Sequence, residues 1–141
     1  YFKGDLTENS DNHIIRNFLK GSNILFHCAS ELNIESKMQS LHIEGTKKLI
    51  ELSKDQIDKW IQLSSVGAYG QKYKGEINFL TPENPSGLYE TTKSKSDHLV
   101  KQSGIKYVIL RPSIVFGNTM TNRVIDNLAK AIKYKFFFLY K

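Results

Sequence analysis

Tyr89 and Lys93 are the residues whose types and spacing suggest chemistry most directly. They lie four positions apart in a segment predicted to be helical, so both side chains fall on one face, about one turn apart. A phenol is a poor base at neutral pH because it ionises only at about pH 10. A neighbouring ammonium group stabilises the phenolate, which suits the tyrosine to exchange a proton with a substrate hydroxyl. The pair alone fits two solvated surface side chains equally well.

A serine hydroxyl precedes this pair at the end of a predicted strand. Ser65 closes an apolar run 24 residues before Tyr89. Ligands of an open parallel sheet bind at the carboxyl ends of its strands, so a site is expected at 27–30, 64–65 and 111–113. Small polar side chains at these positions fit a binding site, and they fit ordinary turns as well.

Predicted strands and helices alternate along the chain. Short apolar runs predict strands, and apolar residues at intervals of three and four predict amphipathic helices. The predicted strands cover 23–28, 59–65 and 106–110, the predicted helices cover 34–54, 86–102 and 122–134, and a further strand is a candidate at 136–140. Because the strands are apolar throughout and alternate with helices, they predict an α/β fold with a parallel sheet covered on both faces.

The composition is that of one soluble globular domain. The chain has 141 residues, of which 40% are hydrophobic and 24% charged, with no internal repeat. It shows no signal peptide and no run long enough to span a membrane, and its single cysteine, Cys28, cannot form an internal disulfide. These features predict a reducing, cytoplasmic setting without a membrane partner. The histidines and Cys28 lack the spacing of metal ligands, so no metal site is expected.

The net charge of +6 is unevenly distributed. Residues 1–90 carry 10 basic and 12 acidic side chains, whereas residues 91–141 carry 10 basic and two acidic ones. A basic half is compatible with an anionic partner, and equally with solvated lysines on helix surfaces. No interleaving of aromatic and basic residues and no helix-turn-helix pattern accompanies it, so a nucleic-acid partner is not expected.

Six segments in a fixed order extend this pattern. Ser65 lies four residues before Tyr69–Gly70, and the Tyr89/Lys93 helix follows. The other segments are Gly4–Asp5–Leu6, 26–30 (FHCAS), 43–46 (IEGT), and Arg111–Pro112 with 115–117 (VFG). In this order the chain resembles the extended short-chain dehydrogenase/reductase superfamily, in its NAD-dependent epimerase/dehydratase branch. The resemblance implies a partial Rossmann-like, doubly wound parallel sheet within 1–141, with 135–141 beginning the substrate-binding segment.

The resemblance also implies a role for each matching residue. Tyr89 would be the general base that takes a proton from the substrate hydroxyl, and the acid in the reverse step. Lys93 would stabilise the ionised Tyr89 and bind the nicotinamide ribose, and Ser65 would orient the reacting oxygen. The implied cofactor-binding residues are Asp5 and Leu6 at the adenine, Cys28, Ala29 and Ser30 along the cofactor, Tyr89 and Lys93 at the nicotinamide ribose, and Pro112, Ser113, Ile114 and Val115 beside the carboxamide.

The implied activity is that of an oxidoreductase or epimerase with NAD or NADP as cofactor. A hydride would pass between the nicotinamide and a hydroxyl-bearing carbon of a small substrate, for which a nucleotide-activated sugar is the leading candidate. A homodimer of the full-length protein is the implied assembly. The resemblance leaves epimerase, reductase and dehydratase activities open.

Two departures from the family pattern favour a second interpretation. His42 replaces the asparagine of an Asn-x-x-Gly-Thr segment, and no set of the nine glycines forms the glycine-rich turn that anchors a diphosphate. We therefore expect a fragment that lacks this turn and the C-terminal substrate lobe. The alternative to an enzyme is a non-catalytic nucleotide-binding or regulatory module, or an inactive truncated remnant of the same fold.

Overall fold

The computed structural model describes residues 1–70, 75–117 and 124–136. The strands are β1 (Ile24–His27), β2 (Lys59–Leu63) and β3 (Lys106–Leu110). The α-helices are α1 (Asn12–Leu19), α2 (Glu35–Gln39), α3 (Thr46–Ser53), α4 (Leu88–Gln102) and α5 (Val124–Lys133). A π-helical turn (Ser40–Gly45) joins α2 to α3, and short 3₁₀ turns cover Asn9–Asp11 and Val66–Tyr69.

The three strands form one parallel sheet in the order β1-β2-β3. Leu25 pairs with Trp60, and Trp60 pairs in turn with Tyr107. Helical segments connect each strand to the next, as parallel pairing requires. The predicted α/β class and the three predicted strands are confirmed, and all three carboxyl ends meet at one edge of the sheet.

Helices cover one face of this sheet, which we call the helix-covered face. Leu25, His27, Trp60 and Gln62 point to it and are at most 5% exposed. Burying a large apolar side chain such as Leu25 or Trp60 contributes about 1.5–3 kcal/mol, so the apolar core on this face is a main source of stability. The core comprises Ile15, Leu19, Leu25, Leu49, Leu52, Ile57, Trp60, Val100 and Ile105.

The opposite face of the same strands, which we call the open face, is apolar and exposed. Ile24, Phe26, Val108 and Leu110 lie on it and are 41–66% exposed. The sequence predicted cover on both faces, but in the part of the chain that the structure describes these four side chains are not buried.

Two helical features differ from the sequence prediction. The single helix predicted over 34–54 is divided by the π-helical turn around His42. Helix α1 was not predicted, because its asparagines are poor helix formers. It forms because Ile15 and Leu19, one turn apart, bury themselves in the core beside α3. Most of the candidate strand at 136–140 lies outside the described residues, as does the start of the helix predicted over 122–134.

Candidate functional site

A cleft of about 440 Å³ lies at the edge where the carboxyl ends of the strands meet. Its walls come from the segments that follow β1 and β3, from the end of β2 and from α4. It is lined by Cys28, Ser30, Leu32, Leu63, Ser64, Ser65, Tyr89, Lys93, Pro112, Ser113, Ile114 and Val115. All the residues proposed for catalysis from the sequence line this one cleft, with most of those proposed for cofactor binding.

Ser65 enters the cleft from the turn that ends β2. Its Oγ accepts a hydrogen bond from the backbone N–H of Gly67 at 3.1 Å and so caps the 3₁₀ turn. The accepted bond uses an oxygen lone pair, which leaves the hydroxyl proton available to a ligand oxygen. A Cβ atom at position 67 would lie 2.6 Å from Cγ of Glu90, so a larger residue here would have to displace the Glu90 side chain where this turn approaches α4.

Lys93 carries a buried charge to the same cleft. Its side chain is 2% exposed, and no residue in 1–70, 75–117 or 124–136 hydrogen-bonds its ammonium group. Burial lowers the pKa of Lys93, while the carboxylate of Asp97, one turn along α4, opposes that shift. Because the ammonium group lines the cleft without a hydrogen-bond partner among the described residues, the arrangement suits a ligand that brings hydrogen-bond acceptors to Nζ.

Tyr89 stands one turn before Lys93 on α4 and is half-buried. Its ring meets the imidazole of His42 edge to face, with 5.6 Å between ring centroids. The hydroxyl of Thr92 donates to the carbonyl oxygens of Leu88 and Tyr89, at 2.9 and 3.0 Å. The first turn of α4 is therefore fixed by the ring contact with His42 and by the hydrogen bonds of Thr92.

Behind the cleft, a buried ion network ties α4 to the ends of β2 and β3. Oδ2 of Asp97, which is fully buried, accepts from Oγ of Ser64 at 2.7 Å and from Nη2 of Arg111 at 3.0 Å. Burial raises the pKa of Asp97, and the hydrogen bonds from Ser64 and Arg111 offset part of that rise. The guanidinium also lies over the ring of Tyr69, 4.8 Å from its centroid. Asp97 thus fixes Lys93 relative to the strand ends.

Glu83 extends this network to the loop before α4. It accepts from Arg111 at 2.5 Å and from Lys101 at 2.8 Å, and also from the hydroxyl of Ser94. Burial alone would raise the pKa of Glu83, but these hydrogen bonds outweigh it and lower the pKa to about 2. Neither Asp97 nor Glu83 was predicted from the sequence as part of the site. The available signal was Asp97, four positions after Lys93 and hence on the same face of α4.

Three predicted cofactor residues lie away from the cleft. Leu6 and Ala29 line a neighbouring apolar cleft of about 220 Å³, which shares Cys28 with the first. The carboxylate of Asp5 accepts from the backbone N–H and the hydroxyl of Thr7, which lower the pKa of Asp5. Its Oδ1 is therefore engaged within its own turn.

The described residues form neither a metal-binding cluster nor a membrane-spanning helix. Within 1–70, 75–117 and 124–136, no group of three or more His, Cys, Asp or Glu side chains is placed to hold a metal ion. Among the same residues, no helix combines the length and apolarity needed to cross a membrane.

The fold and the cleft define a class of protein. A parallel α/β sheet whose strand-end cleft brings together a serine and a Tyr-x-x-x-Lys helix is the arrangement of short-chain dehydrogenase-type proteins. The family model described as the NAD dependent epimerase/dehydratase family matches residues 1–136, and the chain belongs to this family.

Relatives of known activity are similar to the chain over part of their length. UDP-glucose 4-epimerase of Vibrio cholerae is 29% identical over 129 residues, covering 81% of this chain and 38% of that protein. The crystal structure of UDP-glucuronic acid 4-epimerase from Bacillus cereus, in complex with NAD, is 27% identical with a TM-score of 0.69, over 81% of this chain and 38% of that one.

A more distant structure shows the same fold. DesIV, a dTDP-glucose 4,6-dehydratase from Streptomyces venezuelae, is 19% identical with a TM-score of 0.75, over 91% of this chain and 44% of that one. The chain therefore spans less than half the length of each of these three proteins.

Proposed function

We propose that this protein is an NAD-dependent oxidoreductase or epimerase that acts on a hydroxyl-bearing carbon of a nucleotide-activated sugar. The observation that carries the proposal is the convergence of Ser65, Tyr89 and the unpartnered ammonium of Lys93 on one cleft. The names of the similar proteins support the substrate class, since they act on UDP- or dTDP-linked sugars.

The cleft fits the nicotinamide half of the cofactor. The ammonium group of Lys93 lines the cleft without an acceptor among the described residues, and the ribose hydroxyls would supply one. The segment Pro112–Val115 would flank the nicotinamide, and the adjoining cleft with Leu6 and Ala29 would take the adenine side. When bound, the cofactor accepts or returns the hydride. No glycine-rich turn is present in the chain to hold the diphosphate.

The protein's own residues would bind the substrate and move its proton. The hydroxyl of Ser65 would donate to the reacting oxygen, because its oxygen accepts from the N–H of Gly67 and its proton is free. The phenolate of Tyr89 would take the proton from the same oxygen as the carbon is oxidised, and the resulting phenol would return it in reduction. The charge of Lys93 would stabilise the phenolate during that exchange.

A second candidate function is non-catalytic nucleotide binding. The observation that favours it is His42, which stands where the family pattern has an asparagine. Both functions share the proposals of a cytoplasmic location and of a homodimer formed by the full-length protein. They differ in whether the phenol of Tyr89 matters for turnover.

The test is hydride transfer by the complete gene product with NAD and UDP-glucose, followed by absorbance of the reduced cofactor and chromatography of the sugar. Tyr89→Phe is expected to lower kcat about 100-fold or more, the usual contribution of a positioned acid or base. Lys93→Met is expected to lower kcat and weaken NAD binding. The matched controls are Tyr134→Phe and Lys95→Met, which change exposed side chains. Equal rates for wild type and Tyr89→Phe would sink the catalytic proposal and favour the binding module.

A further inference from the structure

His42 is a buried histidine that the proposed mechanism does not use. It is 1% exposed and lies in the π-helical turn Ser40–Gly45. Turns of this kind are rare in proteins and occur frequently at functional sites. Both ring nitrogens have partners, and the partners belong to different parts of the site.

The partners of the ring fix its tautomer. Nε2 lies 2.9 Å from the backbone nitrogen of Glu31, which can only donate, so Nε2 must be an unprotonated acceptor. The hydroxyl of Ser30, 3.1 Å from Nε2, faces the same lone pair. Nδ1 lies 2.8 Å from Oγ1 of Thr92, whose own proton is directed at two carbonyl oxygens. Nδ1 must therefore carry the proton and donate it to Thr92.

The surroundings favour this neutral form. Burial lowers the pKa of His42 to about 4, and the charge of Lys93 acts in the same direction, while the carboxylate of Glu31 opposes it. A second proton on Nε2 would also face the N–H of Glu31, donor against donor. The neutral imidazole is the species that satisfies both neighbours.

The bonds of this ring join the two walls of the cleft. On one side are Ser30, which lines the cleft after β1, and Glu31 next to it. On the other side is Thr92, in the turn of α4 that also carries Tyr89. The ring itself packs edge to face against the phenol. A shift of His42 would therefore displace both the Ser30–Glu31 segment, which forms one wall of the cleft, and the turn of α4 that carries Tyr89.

We propose that His42 is a positioning residue, whose neutral Nδ1–H tautomer holds the Ser30–Glu31 segment and the Tyr89 turn in register. The inference rests on the proposed function for its effect on turnover. The asparagine of the family pattern can reproduce only one of the two bonds at a time from this backbone position. Histidine makes both, because its two nitrogens direct their bonds away from each other, towards Thr92 and Glu31.

Two substitutions separate the bonds. His42→Asn places an amide at the distance of Nδ1, so it keeps the bond to Thr92 and loses the one to Glu31. His42→Gln reaches the position of Nε2, so it keeps the bond to Glu31 and loses the one to Thr92. His42→Phe removes both while keeping an aromatic ring, and the same changes at the exposed His13 serve as controls.

The first readout does not depend on activity. Ring nitrogen NMR of the wild-type protein at pH 7 is expected to show a protonated Nδ1 and a free Nε2. Amide hydrogen exchange at Glu31 is expected to be slow in the wild type and in His42→Gln, and at least about tenfold faster in His42→Asn and His42→Phe. A protonated Nε2, or equal exchange at Glu31 in all four proteins, would overturn the proposal.

The second readout is turnover of the complete gene product. His42→Gln and His42→Phe are expected to lower kcat about 10- to 100-fold, as misplacement of a reacting group does. His42→Asn is expected to keep kcat within about threefold and to raise the KM for NAD, because only the hydrogen bond to the Ser30–Glu31 segment is lost. Unchanged kcat in His42→Phe overturns the positioning role. An inactive wild type with the expected NMR and exchange pattern overturns the proposed function and leaves the structural bridge supported.

Discussion

The two faces of the sheet are formed by the same three strands, yet one buries a polar network and the other exposes apolar side chains. On the helix-covered face, Oε1 of Gln62 accepts from Nε1 of Trp60 at 2.8 Å and is 2.9 Å from Nδ1 of His27. Its amide donates to Oγ of Ser96 on α4 at 3.0 Å. On the open face, Phe26 is 66% exposed.

The difference shows where the specificity of this fold resides. Apolar strands favour formation of a sheet, but apolar contacts have no preferred direction and do not fix the position of α4 along it. The polar bonds from Gln62 to α4 have fixed geometry, and a half-satisfied buried network is costly. The helix that carries Tyr89 and Lys93 is therefore held in one register on the covered face, whereas the open face contributes little to positioning the site.

The largest effect is expected from removing the central side chain of the covered face. Trp60 is fully buried and its ring also meets His27 edge to face, 5.2 Å between centroids. Trp60→Ala should lower the free energy of unfolding by about 3–5 kcal/mol, as large-to-small core changes do. Phe26→Ala, the matched aromatic change on the open face, should cost less than about 1 kcal/mol. Urea unfolding measures both, and similar losses would contradict the contrast between the faces.

The next effect is expected at the ion network behind the cleft. Asp97→Asn removes a charge on which Arg111 and Ser64 converge. The loss should be about 3 kcal/mol, since breaking a buried pair leaves the partner cation undercompensated. Asp126→Asn on α5, where the aspartate is exposed, should change stability by less than about 0.5 kcal/mol. Equal unfolding midpoints for the two variants would show that the network does not anchor α4.

These polar partners could not have been found from the sequence. Periodicity located β1, β2 and β3, because buried parallel strands are continuous apolar runs. It also predicted that Ser65 would lie near 27–30 and 111–113, because the ends of parallel strands share an edge, whereas the roles of Tyr89 and Lys93 came from the family resemblance. Nothing in a pattern pairs Glu83 with Arg111, since they are 28 positions apart and meet only after the sheet has formed.

The π-helical turn shows the same limit. The apolar spacing of 34–54 is that of an ordinary helix, and it predicts no interruption at His42. The turn accompanies two bonds from one ring, to Glu31 and to Thr92, that tertiary contacts supply. Tertiary hydrogen bonds override the local preference for an α-helix at His42, where side chains from distant elements meet beside the cleft.

Acid should lower the free energy of unfolding in a defined window of pH, through His27 on the helix-covered face and His42 in the π-helical turn. Burial lowers the pKa of His27 to about 4 and that of His42 to about 4. The unfolded chain therefore binds more protons below pH 6.5, so this stability is present above pH 6.5 and is lost as pH falls towards 4. The expected loss is about 1–2 kcal/mol per histidine between pH 7 and 5, measured by urea unfolding.

A substitution isolates the histidine contribution from other acid effects. His42→Gln should reduce the pH slope between 6.5 and 5 by about half, because one of the two protons is then absent. Glu83, with its pKa lowered to about 2, loses its contribution only below pH 4.5, outside this window. An unchanged slope in His42→Gln, or a flat wild-type profile, would contradict the neutral state of the two rings.

The smallest effect on stability, and the clearest on association, is expected on the open face. Phe26→Ser should leave the free energy of unfolding within about 1 kcal/mol, because its side chain is already largely in water. The exposed cluster of Ile24, Phe26, Val108 and Leu110 should nevertheless drive self-association, as contiguous apolar surface does. Light scattering against protein concentration should show less association for Phe26→Ser than for the wild type. Phe79→Ser, at a 92% exposed position away from the sheet, is the control. If Phe79→Ser reduced association as much as Phe26→Ser, general surface hydrophobicity rather than the open face would be the cause.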